Sequence, residues 1–187
     1  MTLRQEAAER TRMSLVDAGL RLAERTGLSD LSVNRVVEEA GVSKGTFFHH
    51  FGDRASYLLA IHRGFHDRIQ TRALAAVAGC APGGERLLLG SRTYLDACLR
   101  EKGVRALLLE ARAEPVIADE VRQRNAAVAA LCEPDFRAMG WPHSHQCAQL
   151  WVGMVAEAAL IEFDAGRKLP RLRTALARFV DVSAEHN

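Results

Sequence analysis

Apolar positions along this chain recur with a helical period almost from end to end. In residues 12–26, Leu15, Ala18, Gly19, Leu22 and Ala23 follow the spacing i, i+3, i+4, i+7, i+8, which is one face of a helix. Gly27 suits the left-handed position after its last turn. Ser32 is a side-chain cap for a second helix, where Val33, Val36, Val37 and Ala40 point one way and Asn34, Arg35, Glu38 and Glu39 the other. Gly41 stops that helix after about two turns. Ser43 then caps a third helix, anchored inward by Val42, Phe47 and Phe51. Two short helices joined by a tight glycine-containing turn form the helix-turn-helix pattern.

Gly52-Asp53 breaks the chain again, and Asp53 suits an N-cap. From Arg54 to about Ala78 a long amphipathic helix is predicted, with Leu58, Ile61, His62, Phe65, Ile69 and Ala73 on one side. It fades at Gly79-Cys80-Ala81-Pro82-Gly83-Gly84, the clearest loop in the sequence. Further helices follow. Glu85–Glu101 turns Leu88, Tyr94, Leu95 and Cys98 inward and is broken by Gly103; Val104–Ala113 presents Val104, Leu107, Leu108 and Ala111. Pro115 opens a helix with Ile117, Val121, Val128 and Leu131 inside. Gly140-Trp141-Pro142 is the next break, a helix runs from about His143 to Gly166, and Pro170 opens the last. No alternating strand pattern of useful length appears, and there is no internal repeat. The expected fold is all-α with about nine helices, divided into a three-helix part over 1–53 and a larger helical part over 54–187.

Composition narrows the class. Of 187 residues, 48% are hydrophobic and 26% charged, enough for a core and a polar surface. No run of 18 or more uncharged apolar residues exists, so no membrane span is expected. The segment MTLRQEAAERTR lacks an apolar signal core, so the expected location is cytoplasmic. Cys80, Cys98, Cys132 and Cys147 show no CxxC spacing and read as free thiols, with a redox-sensing thiol as the alternative. Net charge is only +2, and residues 1–54 carry as many Asp and Glu as Lys and Arg. Nucleic-acid binding must therefore be argued from patterning rather than bulk charge.

That patterning lies in Leu31 to Arg54. The third helix is short and capped, so its N-terminal amides and dipole attract phosphate. Gly45, next to the Ser43 cap, lets the backbone come close to a partner. Lys44 and Thr46 fall on the first turn, where a helix in the major groove meets base edges; His49 and His50 are donors one turn on, and Arg54 can take a phosphate. The segment resembles the DNA-binding signature of the TetR repressor family: Ala40-Gly41-Val42-Ser43, Gly45-Thr46, His50 and Phe51 match the family pattern as they stand. The resemblance covers about residues 10–60. It departs at Phe48, where the family usually has a tyrosine whose hydroxyl reaches phosphate, and at Arg54, where it usually has lysine.

The resemblance implies a ligand-responsive transcriptional regulator, a repressor, whose partners are a double-stranded DNA operator, a small-molecule effector and a second copy of itself. It assigns the ligand pocket and the dimer face to the later helices. Locally, Gln146–Ile161 is apolar almost all round, and Leu172, Leu176, Phe179 and Val180 form a second stripe; two such helices from each copy would build a four-helix dimer interface. Glu157, inside that run, and Asn125, on the stripe of the helix opened by Pro115, are read as buried polar groups that need partners. Tyr94, Arg112 and Trp151 complete a candidate amphipathic lining, with Leu108 opposite and His62 and Phe65 from the long helix. The effector is expected to be small and largely apolar. His62 and His66, and His143-x-His145-x-Cys147, have metal-ligand spacing without a matching ligand set nearby, so no metal and no cofactor is implied. Enzymatic motifs such as GxSxG, HExxH, a P-loop or GxGxxG are absent, so the chain is not read as an enzyme. The alternative is a DNA-binding protein without a small-molecule ligand.

Overall fold

The computed structural model describes residues 2–25, 31–101, 104–105, 109, 111 and 115–180. Among them are eight helices and no strand: α1 (Leu3–Ala23), α2 (Val33–Ala40), α3 (Lys44–Phe51), α4 (Arg54–Ala76), α5 (Gly84–Arg100), α6 (Pro115–Ala138), α7 (Ser144–Asp164) and α8 (Pro170–Arg178). The helix expected over 104–113, with Leu107, Leu108 and Arg112, lies mostly outside the described residues, as does Gly27. α1 begins nine residues before the apolar periodicity does. The reason is a capping box: Thr2 Oγ1 accepts from the Gln5 amide at 3.3 Å, and Gln5 Oε1 accepts from the Thr2 amide at 2.7 Å. The first turns bury nothing, so period alone gave no sign of them.

The chain divides into two compact units, residues 1–67 with 101–120, and residues 68–100 with 121–187. In the first, Phe47, Tyr57, Leu58, Ile61 and Phe65 are fully enclosed with Leu15 and Val36. α1 and α4 approach closely at Gly19, where an added Cβ would stand 2.2 Å from the Tyr57 hydroxyl oxygen. That hydroxyl donates to the Leu15 carbonyl at 2.8 Å, and burial pushes its pKa upward. Segment 101–120 adds Val104, Ala111 and Ile117 to the buried set.

The second unit buries Leu87, Leu95 and Cys98 of α5, Phe136 of α6, Trp151 and Val155 of α7, and Leu176 of α8. Two ion-pair clusters join its helices. Arg86 grips Asp135 through Nε at 2.6 Å and Nη2 at 2.8 Å, while the Gly83 amide donates to the same carboxylate at 2.8 Å. Arg173 of α8 grips Glu162 of α7 and also reaches Asp96 of α5. Of two expected inward stripes, Leu95, Cys98 and Ile117 are buried as expected, and the rest of each stripe is not. On α5, Leu87, Ser91, Leu95 and Cys98 are buried and Leu88 only half so; on α6, Asp135 and Phe136 are buried while Leu131 is exposed. Both helices carry apolar residues on neighbouring faces, so periodicity alone does not single out the enclosed one.

Candidate nucleic-acid interface

The three short-range devices expected around α2 and α3 are all present. Ser32 Oγ accepts from the Arg35 amide at 3.4 Å, and Ser43 Oγ accepts from the Thr46 amide at 3.1 Å. Gly41 closes α2 at φ 67, so the Val42 amide can return to the Val37 carbonyl at 3.0 Å. Asp53 caps α4 through the Ser56 amide at 2.7 Å, which holds its carboxyl below the ordinary aspartate value. One ionic clip adds to them: Glu39 accepts from Arg21 at 2.9 Å and Arg25 at 2.8 Å, tying α2 to α1.

α3 then has two faces. Phe47 and Phe51 turn inward and pack against Tyr57, with ring centroids 4.8 and 4.9 Å away. Ser43, Lys44, Gly45, Phe48 and His49 turn outward, and Arg54 at the start of α4 is exposed as well. Phe48 leaves 49% of its surface open, one turn from the exposed Lys44. Thr46 and His50 depart from the expectation of an outward side chain. Thr46 is half-buried, its Oγ1 2.9 Å from Ser43 Oγ, so it belongs to the cap. His50 is half-buried beside Phe51; burial first, then the charges of His49 and Arg12, hold its pKa below the ordinary histidine value. At neutral pH it therefore offers an N–H rather than a charge.

Arg12 went unnoticed in the sequence. Its guanidinium lies 5.3 Å from the Phe51 ring centroid, bringing a cation from α1 to the end of α3. No motif marks it, because the contact joins helices distant in sequence. An eight-residue helix with one outward basic and aromatic face is about 12 Å long. With side chains such a helix is about 10–12 Å across, which a major groove roughly 12 Å wide admits.

The candidate effector residues are scattered in exposure. His62 and Phe65 are buried on α4 in the first unit, the His62 ring 4.4 Å from that of His66. In the second unit Tyr94 is half-buried, and Trp151 is buried against Phe136, 6.5 Å between centroids. Asn125 and Glu157 are exposed, correcting the expectation that both are buried. Glu157 shares its side of α7 with Leu150 and Gly153, whereas the carboxylate that is enclosed is Glu162. Leu108 and Arg112 lie outside the described side chains. His145 Nδ1 sits 3.1 Å from Glu133, and the Cys147 thiol donates to the Pro142 carbonyl at 3.4 Å, so both have local partners. The four cysteines are free, and burial pushes the Cys132 thiol up to about 11. Along α7, Leu150 is 69% and Ile161 39% exposed on the side that also carries Glu157, and Phe179, just after α8, is 56% exposed. No described helix is long and apolar enough to cross a membrane.

Comparison with known proteins agrees with this geometry. Residues 15–61 match the family model of bacterial regulatory proteins of the tetR family. A transcriptional regulator from Rhodococcus sp. Rha1 is similar at 24% identity and a TM-score of 0.76, over 90% of this chain and 93% of that one. A TetR-family regulator from Rhodococcus sp. is similar at 19% identity and a TM-score of 0.77, over 92% and 98%. RolR, solved in complex with the ligand resorcinol, is similar at 16% identity and a TM-score of 0.68, over 96% and 92%. These likenesses show the fold. Among curated proteins none matches.

Proposed function

We propose that this chain, a TetR-type transcriptional regulator by its DNA-reading segment and its fold, is a repressor that binds a near-palindromic operator as a homodimer and is released by a small molecule. The outward face of α3 carries the reading. It is a capped helix whose inner face is locked by Phe47 and Phe51 and whose outer face spends Lys44, Gly45, Phe48 and His49 on nothing within the chain's core. In this reading Lys44 and Phe48 meet base edges, His49, His50 and Arg54 meet the backbone, and residues 1–53 act as the reader. Residues 54–187 act as sensor and dimer part. The second copy covers the exposed Leu150, Ile161 and Phe179, and light scattering should return about twice the 20.6 kDa chain mass.

α4 gives the release a physical route. It is one helix of 23 residues starting at Arg54, about 35 Å at the helical rise. A ligand that prefers a tilted α4 moves the recognition helices off the half-site spacing, at a typical coupling of about 1–3 kcal/mol. Resorcinol, the ligand of the structurally similar RolR, is the first compound to try. The test is operator binding by fluorescence anisotropy on a selected DNA site. Lys44→Ala and Phe48→Ala should each weaken it roughly tenfold or more without lowering the melting temperature. Unchanged affinity in both variants overturns the reading of α3. A ligand that binds tightly but leaves operator affinity unaltered overturns the release, and leaves a DNA-binding protein whose ligand does something else.

A further inference from the structure

An arginine stays protonated inside a protein, so taking one out of water demands an anion or acceptors around it. Three arginines of this chain meet the demand in one way. Arg86 lays its Nε and Nη2 edge against both oxygens of Asp135, and Arg173 lays the same edge against both oxygens of Glu162. Arg63 directs Nε and Nη2 at a single oxygen of Glu120, at 2.9 and 2.7 Å. Arg105 is more deeply enclosed than any of these, 2% exposed, yet its Nε and Nη2 have no hydrogen-bond partner among the described residues. It stands in the first unit between the buried Val104 and Ala111, with Ile117 enclosed in the same segment. Its own backbone is satisfied, the amide donating to the Glu101 carbonyl at 3.0 Å. The buried carboxylate of that segment, Glu120, is already bridged to Arg63.

We propose that Arg105 is the counter-ion for an effector carrying a carboxylate, gripped side-on by the Nε and Nη2 edge. The edge left open is the edge that this chain uses three times on its own carboxylates. Such a fork fits the planar two-oxygen group better than a neutral amide, which offers one acceptor and turns a donor toward the cation. The inference rests on the reading of the chain as ligand-responsive and sharpens its effector from a largely apolar molecule to an apolar acid. It also explains why a costly group is kept: two buried, unpartnered donors are a burden on stability that binding relieves.

The test uses the full chain and matched probes: acetate, octanoate and benzoate, each against its own amide. At least one carboxylate should raise the melting temperature where its amide does not. Arg105→Met should abolish that rise, weakening binding roughly tenfold or more, and Arg105→Lys, which keeps the charge but not the fork, should fall between. Without ligand, Arg105→Met should melt at or above the parent temperature, because it loses two buried donors that have no partner among the described residues. A lower melting temperature in Arg105→Met, restored by Arg105→Lys, would mark a structural arginine and overturn the proposal. Equal shifts by acid and amide, or none from any acid, overturn it too. Operator affinity measured with the same acid separates the two claims. Binding through Arg105 without release sinks the release mechanism and leaves this inference standing. Release by a neutral compound, with every acid inert, does the reverse.

Discussion

The surroundings of α3 and the meeting point of α5, α7 and α8 hold their helices in register with different chemistry. Around α3 the fastening is apolar and short-ranged: Phe47, Phe51 and Tyr57 interlock, and serine, aspartate and glycine residues set where each helix starts and stops. In the second unit, α5, α7 and α8 meet at Asp96, Glu162 and Arg173, groups up to 77 residues apart. Ring packing is indifferent to pH and tolerates small shape changes. A buried ion pair fails abruptly when one partner leaves, because the other stays charged in the core. The surroundings of α3 and the cluster at Glu162 therefore differ in their sensitivity to acid and to the loss of one partner.

Single substitutions expose the contrast most strongly. Arg173→Met strands Glu162, whose side chain has no exposed surface, and should cost about 3–5 kcal/mol. Phe47→Ala should cost a similar amount, about 3–5 kcal/mol, by leaving a cavity under α3. The second site separates them. Adding Glu162→Leu to Arg173→Met should return most of the loss, since a matched apolar pair can replace a buried ion pair. No single polar change repairs Phe47→Ala. Denaturant unfolding of these four proteins decides it, and an Arg173→Met variant within about 1 kcal/mol of the parent would break the comparison, the size of an exposed pair.

Acid is the next lever. Burial alone would raise the Glu162 carboxyl, but hydrogen bonds from Arg173 and the Leu169 amide, with the Arg173 charge, overcome it and hold the pKa below the ordinary glutamate value. Asp96 is likewise held below the ordinary aspartate value, burial opposed and outweighed by Arg173 and Lys168. Depressed carboxyls contribute stability that is complete above their unfolded pKa and lost as pH falls through the folded one. The melting temperature should therefore fall as pH drops below about 4.5, the ordinary glutamate value, and Glu162→Gln should fall less steeply over that range. Parallel slopes in the two proteins would show that the cluster carries no acid sensitivity.

The same contrast explains what could be read from the sequence. Ser32, Gly41, Ser43 and Asp53 act on amides within a few residues, so spacing alone placed α2, α3 and the start of α4. Phe47 and Phe51 stand one turn apart and announce the inner face. The second unit offered no such handle. α7 is apolar almost all round, so its pattern does not say which side is enclosed; it points to Glu157 as the buried carboxylate, whereas the enclosed one is Glu162. Five residues of helix turn about 140° beyond one full circle, which moves a side chain to nearly the opposite face. Only Arg173 and Asp96, remote in sequence, decide the matter. Arg12 over Phe51 and the Tyr57 hydroxyl on Leu15 escaped for the same reason.

The smallest effect tests the outer face of α3 against its inner one, using glycine. At Gly19 an added methyl group would meet the Tyr57 hydroxyl oxygen at 2.2 Å and Ile61 Cδ1 at 2.7 Å, both enclosed, so Gly19→Ala should destabilise the reader. At Gly45 the same methyl would meet only Ser43 Oγ, at 3.6 Å, an ordinary contact. The fold does not require glycine there. Alanine in a helix loses less backbone entropy, so Gly45→Ala should stabilise the free protein by at most about 1 kcal/mol. A glycine that the fold does not need is explained if DNA backbone or base edges press against that turn. Operator affinity should then drop several-fold in Gly45→Ala while its melting temperature holds or rises. An undiminished affinity would place the DNA away from the first turn of α3, and the reading surface would have to move toward Phe48 and His49.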